Sequence, residues 1–137
     1  MGQKSVKRGA TAPAAPPPEV TFVVGPEFVS TLKSFQKAGQ GPRILKALER
    51  FQVMKSENPR STYGATDRPF QGPEFTGLAH AHLTHDISLI YRYVGALNQF
   101  KLYGFYSHDD LGTGTPPNTR KQSAVGGRLR SQVFENQ

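Results

Sequence analysis

Apolar and polar positions change their period along this chain of 137 residues, and the changes mark out its elements. Val20, Phe22 and Val24 alternate with Thr21 and Val23 in a β-branched stretch, which predicts a short strand ended by Gly25-Pro26. Pro26 and Glu27 suit the first turn of a helix. Phe28, Leu32 and Phe35 then recur at helical spacing until Gly39 and Gly41 stop the pattern. Pro42 opens a second helix with an apolar stripe of Ile44, Leu45, Leu48 and Phe51, while Arg43, Lys46, Arg50 and Lys55 fall mostly outside it. The spacing predicts helices at about 27–38 and 43–56, packed as a hairpin. From Asn58 to Gly77 the composition turns to Pro, Gly, Ser, Thr and Asp, a long ordered loop anchored by Phe70 and Phe75. Strand patterning resumes over 78–83, 87–94 and 100–105, with connections short enough for an antiparallel meander. The order of strand, two helices and three strands predicts an α+β domain, its antiparallel sheet covered on one face by the helical hairpin.

Composition bounds what surrounds that domain. Residues 1–18 combine a basic start with the Ala/Pro-rich run GATAPAAPPP and read as a disordered tail, the folded domain spans 19–112, and 113–137 reads as a basic, mostly disordered tail with at most one short helix. No apolar run is long enough for a membrane span or a signal peptide, so the expected location is the cytoplasm, without a membrane partner. The absence of cysteine excludes disulfides, thiolate metal sites and cysteine nucleophiles. The net charge of +7 points to an anionic partner. It sits mainly at the ends, since 1–18 carries Lys4, Lys7 and Arg8 without acids, and 113–137 carries Arg120, Lys121, Arg128 and Arg130 against Glu135. The tails fit either phosphate-steering arms or plain solubilising disorder.

Several short motifs then occur in one order. The loop reads Arg68-Pro69-Phe70-Gln71-Gly72, a strand ends in His82-Leu83-Thr84-His85-Asp86, the next holds Leu89-Ile90-Tyr91-Arg92, and the last piece is Ser107-His108-Asp109-Asp110-Leu111-Gly112. Over roughly 20–112 this succession resembles the RelE/ParE toxin superfamily, and its YafQ-like branch in particular. The resemblance implies a toxin of a type II toxin–antitoxin system, a ribosome-dependent mRNA endoribonuclease acting in the ribosomal A site and restrained by a protein antitoxin. It places His82 and Asp86 at the first hairpin and His108 after the last strand as catalytic residues. The sequence departs from the family pattern at Arg68, where a histidine belongs, at Ile87 for a tryptophan, at Gly112 for a phenylalanine and at Gly104 for an arginine.

Cutting RNA without a metal needs a base for the 2′-OH, a cation for the phosphate and an acid for the 5′-oxygen. Histidine, with an unperturbed pKa of about 6.5, suits both proton roles. His82, Asp86, His108 and Arg68 are therefore the candidate catalytic set, with Arg92, Lys101 and Tyr106 as substrate-binding candidates: two further phosphate clamps and a base-stacking ring. Plainer readings stand beside these: a turn-forming Asp86, a strand-face His82, a capping His108 and a solvated Arg68. His80, His82, His85 and Asp86 also spell H-x-H-x-x-H-D, and imidazoles two apart on a strand share a face, so a zinc hydrolase is a rival. The stretch resembles the H-x-H-x-D-H motif of metallo-β-lactamase-like enzymes, but Thr84 stands where the Asp belongs, and those enzymes need far more chain plus distant ligands. The expectation is therefore no metal and no cofactor. Within the superfamily the alternatives are a non-catalytic toxin that binds a protein target such as DNA gyrase, and a degenerate RNA-binding member.

Overall fold

The computed structural model describes residues 19–134. In chain order these form β1 (Thr21–Val24), α1 (Pro26–Lys37), α2 (Gly41–Glu57), β2 (Arg68–Pro69), a 3-10 turn at Pro73–Phe75, β3 (Ala79–His82), β4 (Ile87–Val94), a second 3-10 turn at Gly95–Leu97, β5 (Gln99–Ser107), α3 (His108–Leu111) and α4 (Thr119–Arg130). The strand, the helical hairpin and the meander stand where the patterning puts them. Five strands make one sheet in the order β1-β5-β4-β3-β2. The meander is antiparallel, and β1 joins its far edge in parallel beside β5, Thr21 opposite Gln99 and Val24 opposite Leu102. The short β2, which the patterning does not single out, brings Arg68 opposite His80 at the other edge.

Alternation along the strands divides the apolar residues between two faces. On one face Ala81, Leu83, Ile87, Leu89, Tyr91, Phe100, Leu102 and Phe105 meet Ile44, Ala47, Leu48 and Phe51 of α2, with Phe28, Leu32 and Phe35 of α1 packed around them. Phe51 is fully buried and its ring meets those of Tyr63, Tyr91 and Phe100 edge-on. Truncating such a ring to alanine costs about 3–5 kcal/mol.

The opposite face departs from the sequence reading. The segment after Gly112, expected to be mostly disordered, forms the twelve-residue α4 and closes a second core of Phe75, Leu78, Ile90, Tyr103, Tyr106 and Leu111 with Val125, Leu129 and Phe134. Those three apolar residues look scattered in the sequence, yet Val125 and Leu129 fall on one helical stripe and Phe134 lies edge-on to Tyr103. Asn118 caps the helix by accepting from Lys121 N at 3.0 Å. Glycine at 126 weakens the helix locally, but a Cβ there would overlap the carbonyl oxygen of Glu74, so the close approach requires it. Arg130 donates to the same carbonyl, and Arg128 forms a two-pronged pair with Glu27 at 2.7 and 3.2 Å. The proposed tail 1–18 and residues 135–137 lie outside the described residues.

Candidate functional site

β3 and β4 are joined by a tight turn in which Leu83 N and Thr84 N both donate to Ile87 O, while Ile87 N donates to Thr84 Oγ1. The turn leaves His85 and Asp86 exposed and ends β3 on His82, whose side chain, like that of His80, lies on the α4 side of the sheet. The end of β5 lies directly beside it, because Ile87 pairs with Ser107. There Ser107 starts α3 with a capping box: its hydroxyl accepts from Asp110 N, and the Asp110 carboxylate accepts from Ser107 N, both at 3.0 Å. This fixes His108 at the first position of α3. Register and cap together place His82 Nε2 3.1 Å from His108 Nε2, although 26 residues separate them. On the other side of the His108 ring, Nδ1 lies 3.8 Å from Asp86 Oδ1.

Carboxylate, imidazole and imidazole thus stand in line, and the chemistry of that line is constrained. Two ring nitrogens at 3.1 Å must divide the roles of donor and acceptor, and protonating both rings sets two like charges in contact. The pair therefore exists with one ring able to give a proton and the other able to take one. Burial, and next the neighbouring His108, hold His82 below the ordinary histidine pKa, which favours its neutral form. Asp86, exposed to water, flanks the other face of this pair through its contact with His108 Nδ1.

His80 is half-buried. Its ring stacks on Phe70 at 4.3 Å and 28°, Phe70 stacks on the buried Phe75 at 4.4 Å and 28°, and the edge of His80 meets His82 at 5.8 Å. A row of rings thus runs from the second core out to His108. Burial first, then the adjoining His82 and Arg68, pull the His80 pKa down to about 4. The signal in the sequence was Phe70, assigned to anchoring the loop, combined with the two-residue spacing of His80 and His82.

Arg68 borders this row. It is exposed, pairs in register with His80 and acts electrostatically on both His80 and His82. Its position is set from behind, where Asp67 is buried and accepts from Lys55 Nζ at 2.6 Å, from Tyr63 N at 2.7 Å and from the Tyr91 hydroxyl. The structure does not bring the other binding candidates together with these groups. Arg92 and Lys101 face each other in register toward the opposite end of β4 and β5, and Lys101 lies over the Phe134 ring at 5.5 Å. Tyr106 is buried, and its hydroxyl donates to Glu27 Oε1 at 2.6 Å, leaving its face covered. At Gly104, where the resemblance sets an arginine, a Cβ would come within 2.7 Å of Tyr106 Oη, so this ring fills the space. Beyond Asp86 a cavity of about 720 Å³ opens between α1, the end of β5 and α4, lined among others by Thr31, Ser107, Asp110, Lys121 and Arg128. Among the described residues no group of three or more histidines and carboxylates is arranged to hold a metal ion, and no helix is long and apolar enough to cross a membrane.

This architecture, a helical hairpin on one face of a five-stranded sheet, is the RelE/YafQ-like toxin fold. Solved structures carry that statement. The chain is similar to the toxin in the crystal structure of the Escherichia coli DinJ–YafQ toxin–antitoxin complex, with a TM-score of 0.55 and 19% identity over 68% of this chain and 97% of that one. It is similar to the YoeB/ParE toxin from Agrobacterium tumefaciens, with a TM-score of 0.54 and 15% identity over 65% and 99%. A metal-bound toxin from Helicobacter pylori gives 0.53 and 24% over 67% and 98%. No protein-family model matches the chain, and no curated protein sequence does.

Proposed function

We propose that this protein is the toxin of a toxin–antitoxin pair, a metal-independent endoribonuclease that cuts mRNA on the ribosome in the cytoplasm and is restrained by a cognate protein antitoxin. The observation that carries the reading is the contact of His82 with His108 at 3.1 Å, with Asp86 on the far nitrogen of His108. In the step this supports, His82 takes the proton of a 2′-OH and the 2′-oxygen attacks phosphorus. The 5′-oxygen leaves with a proton from His108, giving a 2′,3′-cyclic phosphate and a 5′-hydroxyl. Asp86 orients His108, and Arg68 meets the charge that builds on the phosphate. Ribosome dependence rests on the motif resemblance alone, and the antitoxin on that resemblance together with the likeness to a toxin solved in a toxin–antitoxin complex.

Primer extension on a reporter mRNA in a translating extract tests the reading. The wild type cleaves, His82→Ala and His108→Ala each cleave about 10²-fold less, and a chelator changes nothing. A wild type that leaves the mRNA intact ends the catalytic assignment. One observation favours a second reading, an RNA-binding member without turnover: the site of the family arginine is filled by Tyr106, which leaves Arg68 as the strand cation beside the histidines among the described residues. That reading expects mRNA binding without cleavage. A gyrase-directed toxin expects neither, and growth arrest with DNA damage instead.

A further inference from the structure

Arg43, Lys46 and Arg50 are exposed on α2 and spaced three and four residues apart, so they project from one side of the helix at axial steps of about 4.5 and 6 Å. None has an ion-pair partner among the described residues, and the weak contact of Arg43 with Gln40 Oε1 spans 3.5 Å. Beside them runs a groove of about 220 Å³ lined by these three cations with Ala47, Leu83 and Thr84. Leu83 and Thr84 follow His82 in the chain and form the turn that carries His85 and Asp86. The groove therefore climbs from the outer side of α2 to the rim over which the histidine pair lies.

We propose that this groove is a binding track for the phosphodiester backbone of single-stranded RNA, which it leads over the β3–β4 turn toward His82 and His108. Its destination rests on the endoribonuclease reading; the binding itself does not. Unpaired, water-exposed cations in a row bind phosphates by neutralising them and releasing their counterions. Arg92 and Lys101 lie toward the other end of the sheet and leave Arg68, among the described residues, as the sole nearby cation on the strands, so α2 supplies what an RNA strand entering the site lacks. The floor of Ala47, Leu83 and Thr84 offers no exposed large apolar or aromatic anchor of the kind a protein interface uses, which favours a phosphate backbone over an acidic protein. Lys46 and Arg50 also border an adjoining depression with Glu49, Val53, Met54 and Glu57, but neither of those carboxylates lines this groove.

Fluorescence anisotropy with a short labelled single-stranded RNA, methylated at every 2′-oxygen so that it cannot be cut, tests the track on the full chain. Replacing Arg43, Lys46 and Arg50 together by alanine is expected to weaken binding by about tenfold or more and to make the log–log salt dependence shallower by about two, the share of three phosphate contacts. Lys33→Ala with Lys37→Ala on α1 is the control and leaves both quantities unchanged. All three replaced side chains are exposed, and an unchanged thermal melt of the triple variant verifies its fold. Unaltered affinity and salt slope in the triple variant overturn the track, as does displacement of the RNA by an equal charge of polyglutamate at equal concentration. The two readings fail separately: binding lost in the triple variant of a protein that never cleaves keeps the track and removes catalysis, whereas undiminished binding beside wild-type cleavage removes the track alone.

Discussion

Asp67 and Arg68 are neighbours in the chain, yet they belong to two polar clusters built on opposite terms. Around Asp67, Lys55 and Tyr91 are closed off from water, with the Lys55 and Asp67 side chains 3% and 1% exposed. Asp67 accepts three hydrogen bonds, and Lys55 adds one to Ser61 O while lying 5.4 to 5.9 Å from the ring centres of Phe51, Tyr91 and Phe100. Charges and donors are matched, so no proton has reason to move. Around Arg68 the groups are open and mismatched: His108 and Asp86 are 43% and 67% exposed, and His82, His80 and Arg68 place positive or potentially positive groups side by side. A matched cluster holds a loop in place. A mismatched one leaves protons in contention, which is the condition acid–base chemistry needs.

The contrast can be broken at either end. The largest effect is expected for Asp67→Ala, which leaves Lys55 charged and buried without its partner and should cost about 3–5 kcal/mol in denaturant unfolding. A loss under about 1 kcal/mol would mean that the cluster does not hold the loop. His108→Ala inverts the outcome: cleavage falls about 10²-fold, a barrier change of about 2.7 kcal/mol, while unfolding shifts by no more than about 0.5 kcal/mol. Equal damage to stability would move His108 into the structural class. Tyr91→Phe is milder, at about 1.5 kcal/mol, because Asp67 keeps Lys55 and the Tyr63 amide. The smallest effect is a slope. Because His80 is pulled down from 6.5 to about 4, an unfolded chain takes up a proton that the folded one refuses between those values, so stability present above pH 6.5 is lost as the pH falls toward 4. His80→Phe keeps a ring on Phe70 and should flatten the melting temperature across that window; parallel curves for variant and wild type would assign the loss to other groups.

How much of this was legible depended on whether a feature is local. Glycine and proline stops, helical spacing in 28–51 and alternation in 87–105 are near-neighbour signals, and the elements stand where they put them. His82, Asp86 and His108 were legible as a set through motif order, and their approach follows from hairpin register and the cap on Ser107. The rest needed distant partners. Arg92 and Lys101 are cations of the right kind whose distance from the histidines is fixed by position along the strands. Tyr106 looks available in sequence and is tied to Glu27, 79 residues away. Val125, Leu129 and Phe134 are too sparse to announce a helix, because the surface that organises them comes from Phe75, Leu78 and Tyr103. Lys55, assigned off the apolar stripe, is buried because Asp67 arrives from a loop without periodicity.

The parallel pairing of β1 with β5 has a bearing on how the protein is made. Its partners, Thr21 with Gln99 through Val24 with Leu102, lie 78 residues apart, so closing that edge encloses nearly the whole domain in a single loop. The hairpins of β3, β4 and β5 close far shorter loops, and low sequence separation favours their earlier formation. Synthesis runs the opposite way: β1 emerges first and waits for the strand beside it, while His108 and α4 emerge later still. A nascent chain therefore holds neither its completed sheet nor its paired histidines until β5 and α3 have followed β1 out of the ribosome. On the proposed function, the order in which the strands are made keeps the nascent chain inactive until the second histidine has joined the first.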